Sequence, residues 1–258
     1  MLNDYESFKK QVLDMTGIDL NAYKEKQMKR RIDTLIMKYK ASDYNAFVTL
    51  LKQNKEVYET FIGYLTINVS EFYRNPDQWT HMDKVIIPEM IQKFGKNLKI
   101  WSAACSTGDE PYSLVMALSR HLPLNQIKIT ATDIDKQILA TAQVGVYSEK
   151  SIAAVPDDLK SKYFEKSGAF YKIKDEIKSR VEFKQHNLLA DPYPKDYHMI
   201  VCRNVLIYFT EEAKDEVFTK FCNTLVPKGF LFIGNTEQII NYKEIGFKRK
   251  NSFFYEKP

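Results

Sequence analysis

The acidic pair Asp109-Glu110 stands in WSAACSTGDEPYSL (101–114), a small-residue turn between an apolar run and a segment with helical spacing. Turns of this kind often cradle nucleotide phosphates, which want several glycines and N–H-rich or positive surroundings. This turn has one glycine, Gly108, and offers two carboxylates. A carboxylate such as Glu110 repels a diphosphate and attracts a cation. Groups of compatible chemistry follow other β-rich runs. Asp133, in ATDID, stands about 20–25 residues beyond the turn, a spacing that suits an acid bonding ribose hydroxyls. Asn187 and Leu188, in HNLL, could read an adenine edge and cover its face. Arg203, Asn204 and Tyr208 lie in RNVLIYF. Together these describe a pocket for a phosphate-free adenosyl ligand. S-adenosylmethionine, with its sulfonium and α-amino group, fits that description, and Tyr73 and Tyr208 could add cation–π contact.

Each of these residues also has a plainer reading. Acids just inside a helix start serve the helix dipole, which would account for Glu110. Asp133 could cap the following helix, Asn187 could only form a turn, Arg203 could be a surface charge and Tyr208 could belong to the core. Their shared position, each just after a β-rich run, favours the ligand reading without naming a methyl acceptor.

Only elements that bring these residues to one edge would make a site of them. After about Asn75, helical stretches (110–121, 135–143, 211–225) alternate with KIWSAA, IKITATD, RVEFKQHN, HMIVCRN, GFLFIGN and SFFYEK. That alternation predicts parallel β-α units in a doubly wound, Rossmann-like α/β domain over 76–258, whose ligands sit at the carboxyl ends of the strands. The charged stretch 148–180 interrupts the alternation, and a short hairpin is expected there as an insertion. Residues 1–75 read as an all-α domain and linker, with no proline before Pro76 and apolar residues at 3–4 spacing. Asp19–Asn21 would cap a helix running to about Tyr39, and Ser42-Asp43 would start the next.

Within that first domain, KEKQMKRRIDTLIMKYK (24–40) carries an apolar stripe of Met28, Ile32, Leu35, Ile36 and Tyr39. Lys26 and Arg30 fall on roughly the opposite face, with Lys29 and Lys40 flanking it. Such a face is either simply solvated or a docking surface for an acidic partner.

Composition narrows the function classes. The 258 residues are 44% hydrophobic and 28% charged, with a net charge of +5, too mild by itself to imply nucleic acid. MLNDYESFKK lacks the apolar core of a secretion signal, and no apolar run approaches bilayer length. The three cysteines, Cys105, Cys202 and Cys222, lack a C-x-x-C pair and read as reduced thiols of a cytoplasmic protein. The four histidines are scattered, so no metal is expected.

TINVSEFYRN (66–75), IWSAACSTGDEPYSL, ATDID, HNLL, IVCRNVLIYF and the late FIGNTEQI resemble, in order and over nearly the full length, the chemotaxis receptor methyltransferases of the CheR family. The resemblance implies transfer of a methyl group from S-adenosylmethionine to glutamate side chains on chemoreceptor cytoplasmic helices, giving methyl esters. It implies a cofactor site of Asn68, Ser70, Arg74, Glu110, Asp133, Asn187, Leu188, Arg203 and Asn204. It places Arg74 and Tyr208 nearest the methyl group. The helical domain would dock the receptor, with Lys26, Lys29 and Arg30 as its cationic contacts, and 148–180 would be the family's small β-subdomain. Asp109 departs from the family's more frequent glutamate, while Glu110 is retained. A cytoplasmic monomer without metal, nucleic acid or membrane insertion is expected.

Three other functions compete. A nucleic-acid methyltransferase could use the basic helix, but the N/D-P-P-Y/F motif of amino-methylating DNA enzymes is absent, with RNVLIYF in its place. A nicotinamide oxidoreductase is disfavoured by the glycine-poor turn. A non-catalytic adenosyl-binding sensor is compatible with the same residues.

Overall fold

Four helices with apolar residues three and four apart build the first of two units: α1 (Tyr5–Thr16), α2 (Glu25–Lys38), α3 (Tyr44–Gln53) and α4 (Lys55–Thr66). The computed structural model describes residues 4–258; one unit runs up to Asn68 and takes in Leu206–Glu216, and the other is Val69–Val205 with Val217–Pro258. Side-chain caps set three of the helix starts: Asp4 accepts from Ser7 N–H, Asp43 from Ala46 N–H and Asn54 from Val57 N–H. Phe8 lies 4.8 Å from the Tyr44 ring and Phe47 5.7 Å from Phe61, so aromatic packing joins α1, α3 and α4.

The start expected at Asp19–Asn21 differs. Asp19 caps only the single 3₁₀ turn Leu20–Ala22, and α2 begins at Glu25 without a side-chain cap. The intervening backbone is used elsewhere. Ala22 C=O accepts from Thr210 N–H, Lys24 N–H donates to Tyr208 C=O, and Tyr23 bridges Phe209. A helix through Tyr23 would forfeit those bonds. The first helical run of this unit stops at Thr66, where Ile67 turns left-handed at φ 52°.

The second unit contains β1 (Ile100–Ala103), β2 (Ile129–Asp133), β3 (Val146–Ser148), β4 (Phe164–Ser167), β5 (Phe170–Ile173), β6 (Val181–Gln185), β7 (Tyr197–Cys202), β8 (Leu225–Ile233), β9 (Lys248–Arg249) and β10 (Phe254–Glu256). Seven form one sheet in the order β6-β2-β1-β7-β8-β10-β9. β6 through β8 run parallel, and β10 lies antiparallel to both its neighbours. The sheet is therefore mixed at one end, because the chain returns from β8 through the short β9 and closes as a hairpin. β3, β5 and β4 form a separate antiparallel sheet, with β4 and β5 as the hairpin within 148–180.

The core of this unit packs Ile100, Met199, Val201, Phe230 and Phe232 against helical side chains that include Trp79, Met82, Met90 and Val115. The helical run Pro76–Phe94 passes through a π-turn at Met82–Ile86, just ahead of Pro88. Pro88 has no N–H to donate, and the wider turn relieves the clash its ring would otherwise cause.

The strand order reverses at β1. The chain passes to β2 and β6 on one side and to β7 and β8 on the other. Register pairs Ala103 with Thr132, and Cys202 with Ile233. The segments following these strands thus leave the sheet at one edge, with the crevice between β1 and β7 at the topological switch.

Candidate cofactor site

The turn after β1 is built by backbone conformation rather than by glycine number. Ala104, Ser106 and Gly108 all have positive φ, of 64°, 48° and 88°. Asp133, the last residue of β2, holds that turn. Its Oδ2 accepts Ser106 N–H at 2.9 Å and its Oδ1 accepts Asp135 N–H at 3.0 Å. The cap of the next helix is Asp135, which accepts from Gln137 and Ile138, so Asp133 is not the helix cap. Gly108 is required at its position: beyond its φ, a Cβ there would lie 3.0 Å from both Ala142 Cβ and Tyr112 Cε2.

Glu110 sits in the first turn of the helix Asp109–Leu118, facing back to β1. Ser102 Oγ donates to its Oε1 at 2.8 Å. Burial pushes its carboxyl up to about 7, opposed by the Arg203 guanidinium and the Ser102 hydrogen bond, while Glu237 adds repulsion. Asp109 is only 1% exposed, and burial raises it to about 6 against hydrogen bonds from Thr107 and Ser70. The predicted cofactor residue Ser70 is thus anchored on the buried acid of the pair.

Arg203 is a buried tie and not a surface charge. Its Nη2 donates to Arg74 C=O at 2.7 Å, Gln78 Oε1 at 2.8 Å and Asn75 Oδ1 at 3.1 Å, while its guanidinium lies 4.7 Å from the Phe232 ring centre. The segment 74–78 is held to the end of β7 through these bonds. The Arg74 side chain is half-buried and donates to Val69 C=O at 3.4 Å. Tyr73 turns its ring against Trp79, 5.0 Å between centroids, with its hydroxyl buried.

Beyond β6, Asn187 does form a turn. Its Oδ1 accepts Leu189 N–H and its own N–H donates to Asp191. Leu188 beside it is buried. Asn204 stands at φ 63° after β7, with its Oδ1 buried and without a hydrogen-bond partner.

The structure therefore collects Ser70, Arg74, Glu110, Asp133, Asn187, Leu188, Arg203 and Asn204 in the sheet unit. Asn68, whose Nδ2 donates to Thr66 Oγ1, and Tyr208, half-buried in the 3₁₀ turn Leu206–Tyr208, belong to the helical unit. On α2, Lys26 and Arg30 are exposed, whereas Lys29 is engaged. Its ammonium pairs with Asp33 at 2.9 Å and lies 5.5 Å from both the Tyr5 and Tyr44 rings.

Ser102, Gln78 and Glu237 escaped the sequence reading. Glu237 is 3% exposed and accepts the backbone N–H groups of Asn204, Val205 and Gly234. Its signal lay in FIGNTEQI, but two of its three partners, Asn204 and Val205, are over thirty positions away.

Residues 68–252 match the family described as CheR methyltransferase, SAM binding domain, and residues 3–66 match CheR methyltransferase, all-alpha domain. The chain belongs to the CheR methyltransferase family. It is 40% identical to a chemotaxis protein methyltransferase of Listeria innocua over 98% of this chain and 97% of the relative. It is 30% identical to one from Borreliella burgdorferi, covering 90% of this chain and 86% of that protein. One from Salmonella typhimurium is 28% identical over 89% of this chain and 82% of its own. The domain matched over 68–252 is thus the family's S-adenosylmethionine-binding domain, and it contains every collected residue above.

Proposed function

We propose that this CheR-family protein transfers a methyl group from S-adenosylmethionine to glutamate carboxylates on chemoreceptor cytoplasmic helices. The observation that carries the reading is Glu110: a carboxyl at the switch point, bonded by Ser102 and raised to about 7 by burial. A group so placed disfavours polyphosphate and gains from a cation. The remaining groups suit the same ligand. Asn204 Oδ1 and Ser106 Oγ are buried without partners, the first an acceptor and the second able to donate or accept. Asp133 spends only part of its acceptor capacity on Ser106 and Asp135.

Bound S-adenosylmethionine supplies an electrophilic methyl on a positive sulfur. The chain's own residues have the work of binding and alignment. Glu110 balances positive charge at the crevice, Asp133 bonds the ribose hydroxyls, and Asn187 and Leu188 hold the adenine. Arg74 and the Tyr208 hydroxyl orient the acceptor carboxylate or the methionine end of the cofactor. The acceptor needs no general base, since a glutamate of ordinary pKa near 4.3 is ionised at neutral pH. It needs desolvation and in-line placement. Residues 1–75 comprise the receptor-docking domain and the linker carrying Ser70 and Arg74 in this reading, with Lys26 and Arg30 facing the glutamate-rich helices. Residues 76–258 carry the rest of the chemistry, with 148–180 as the β-subdomain.

Mass spectrometry of a receptor cytoplasmic fragment after incubation with this protein and S-adenosylmethionine tests the proposal. One-methyl mass gains on glutamate-bearing peptides support it, and methylation confined to added nucleic acid refutes it.

A further inference from the structure

We propose that Glu237 is a positioning residue for the cofactor site, acting through Asn204; the inference rests on the cofactor reading above. Glu237 lies just beyond β8 and is buried. Its Oε2 accepts Asn204 N–H at 2.6 Å and Gly234 N–H at 2.9 Å, and its Oε1 accepts Val205 N–H at 2.7 Å. The consecutive N–H groups of Asn204 and Val205 form an anion-binding concavity of the kind a left-handed residue creates, and the Glu237 carboxylate fills it from within the protein. The carboxylate thereby holds Asn204 at φ 63°.

Gly234 makes this approach possible. A Cβ there would sit 2.6 Å from Glu237 Oε2, 2.9 Å from Asn204 N and 3.0 Å from Asn204 Nδ2. The side chain of Asn204 therefore lies against the Gly234 backbone, with Oδ1 buried and unpartnered. Glu237 sets the direction in which that acceptor points. A second link ties the same loop to the segment carrying Arg74: Gln78 Nε2 donates to Asn235 Oδ1 at 2.6 Å. Glu237 touches no reacting group in this account, and its effect is on where Asn204 stands.

Glu237→Gln keeps the shape but turns an N–H₂ toward backbone donors, so the clamp loosens. Calorimetric titration of the full-length chain with S-adenosylhomocysteine reads the effect in a double-mutant cycle with Asn204→Ala. Each single variant is expected to weaken binding about tenfold, and the double variant no further than Asn204→Ala alone. Paired with Asp133→Ala, which acts at the other side of the crevice, Glu237→Gln is expected to weaken binding by its full factor again. Wild-type affinity in folded Glu237→Gln overturns the proposal. So does a full additional loss in the Asn204→Ala background, the result a general loosening of structure would give. If Glu237→Gln does not fold, Glu237→Asp, which keeps the charge but shortens the reach to the Asn204 and Val205 N–H groups, replaces it in the same cycle and is judged by the same outcomes. Wild-type protein that fails to bind S-adenosylhomocysteine overturns the cofactor reading itself, and the positioning role with it.

Discussion

Ser102 Oγ and Glu110 Oε1 are 2.8 Å apart, joining the third residue of β1 to the first turn of the helix that follows it. The bond favours ionised Glu110, while burial opposes it and wins, leaving the carboxyl at about 7. Two pH effects follow with definite sign. Between the ordinary carboxylate range and pH 7 the folded protein holds a proton that the unfolded chain has released, so stability of the free protein falls as pH rises through that window. Cofactor affinity moves the other way, because a cationic ligand selects ionised Glu110. Binding of S-adenosylmethionine should tighten from pH 6 to pH 8 with a midpoint at about 7. Glu110→Gln should flatten that profile, and Ser102→Ala should move its midpoint upward. Titration calorimetry across the range measures all three.

Gly108 answers to geometry and not to phosphate. Its φ of 88° and the 3.0 Å approach of Ala142 and Tyr112 to any Cβ leave no room for alanine. Gly108→Ala should cost about 2 kcal/mol or more of stability, from left-handed backbone strain plus overpacking. Denaturant unfolding with an unchanged midpoint would contradict this.

The α2 cations should separate by role. Charge reversal at Lys26 and Arg30 together should slow methylation of a receptor fragment, most at low salt, with unchanged unfolding. Charge reversal at Lys29 should instead lower the unfolding temperature, because it places like charge beside Asp33 and removes the cation from the Tyr5 and Tyr44 rings. Initial rates at two salt concentrations, alongside thermal melts, distinguish the cases.

Tyr208→Phe should reduce turnover about tenfold or more through lost alignment. Cofactor affinity should stay near wild type, since the proposed adenosine contacts, Asp133, Asn187 and Leu188, lie elsewhere. Unchanged turnover in steady-state assays removes Tyr208 from the reacting centre.

Much of the sheet domain was legible because its strands are apolar runs set between amphipathic segments. β1, β2, β6 and β10 fall within the predicted runs, β7 begins one residue and β8 four residues before theirs, and the hairpin of β4 and β5 falls where the alternation breaks. β3 and β9, of three and two residues, are too short to carry a period. The antiparallel entry of β10 between β8 and β9 depends on tertiary closure that no local pattern states. The placement of Glu110 and Asn204 after their strands, and of Asp133 at the end of its own, followed from strand ends alone. What those residues bond to did not. Asp133 gripping Ser106, Arg203 gripping 74–78 and Glu237 gripping Asn204 are pairings between distant segments, invisible to spacing. The start of α2 was misplaced for the same reason, since the backbone at Ala22–Lys24 is claimed by residues 208–210.

The most direct measurement is label transfer. Incubation with methyl-labelled S-adenosylmethionine and a chemoreceptor cytoplasmic fragment should place label on the fragment in a form that mild base releases as methanol, the mark of a glutamyl methyl ester. Label that resists base, or that appears only on nucleic acid, would contradict the account.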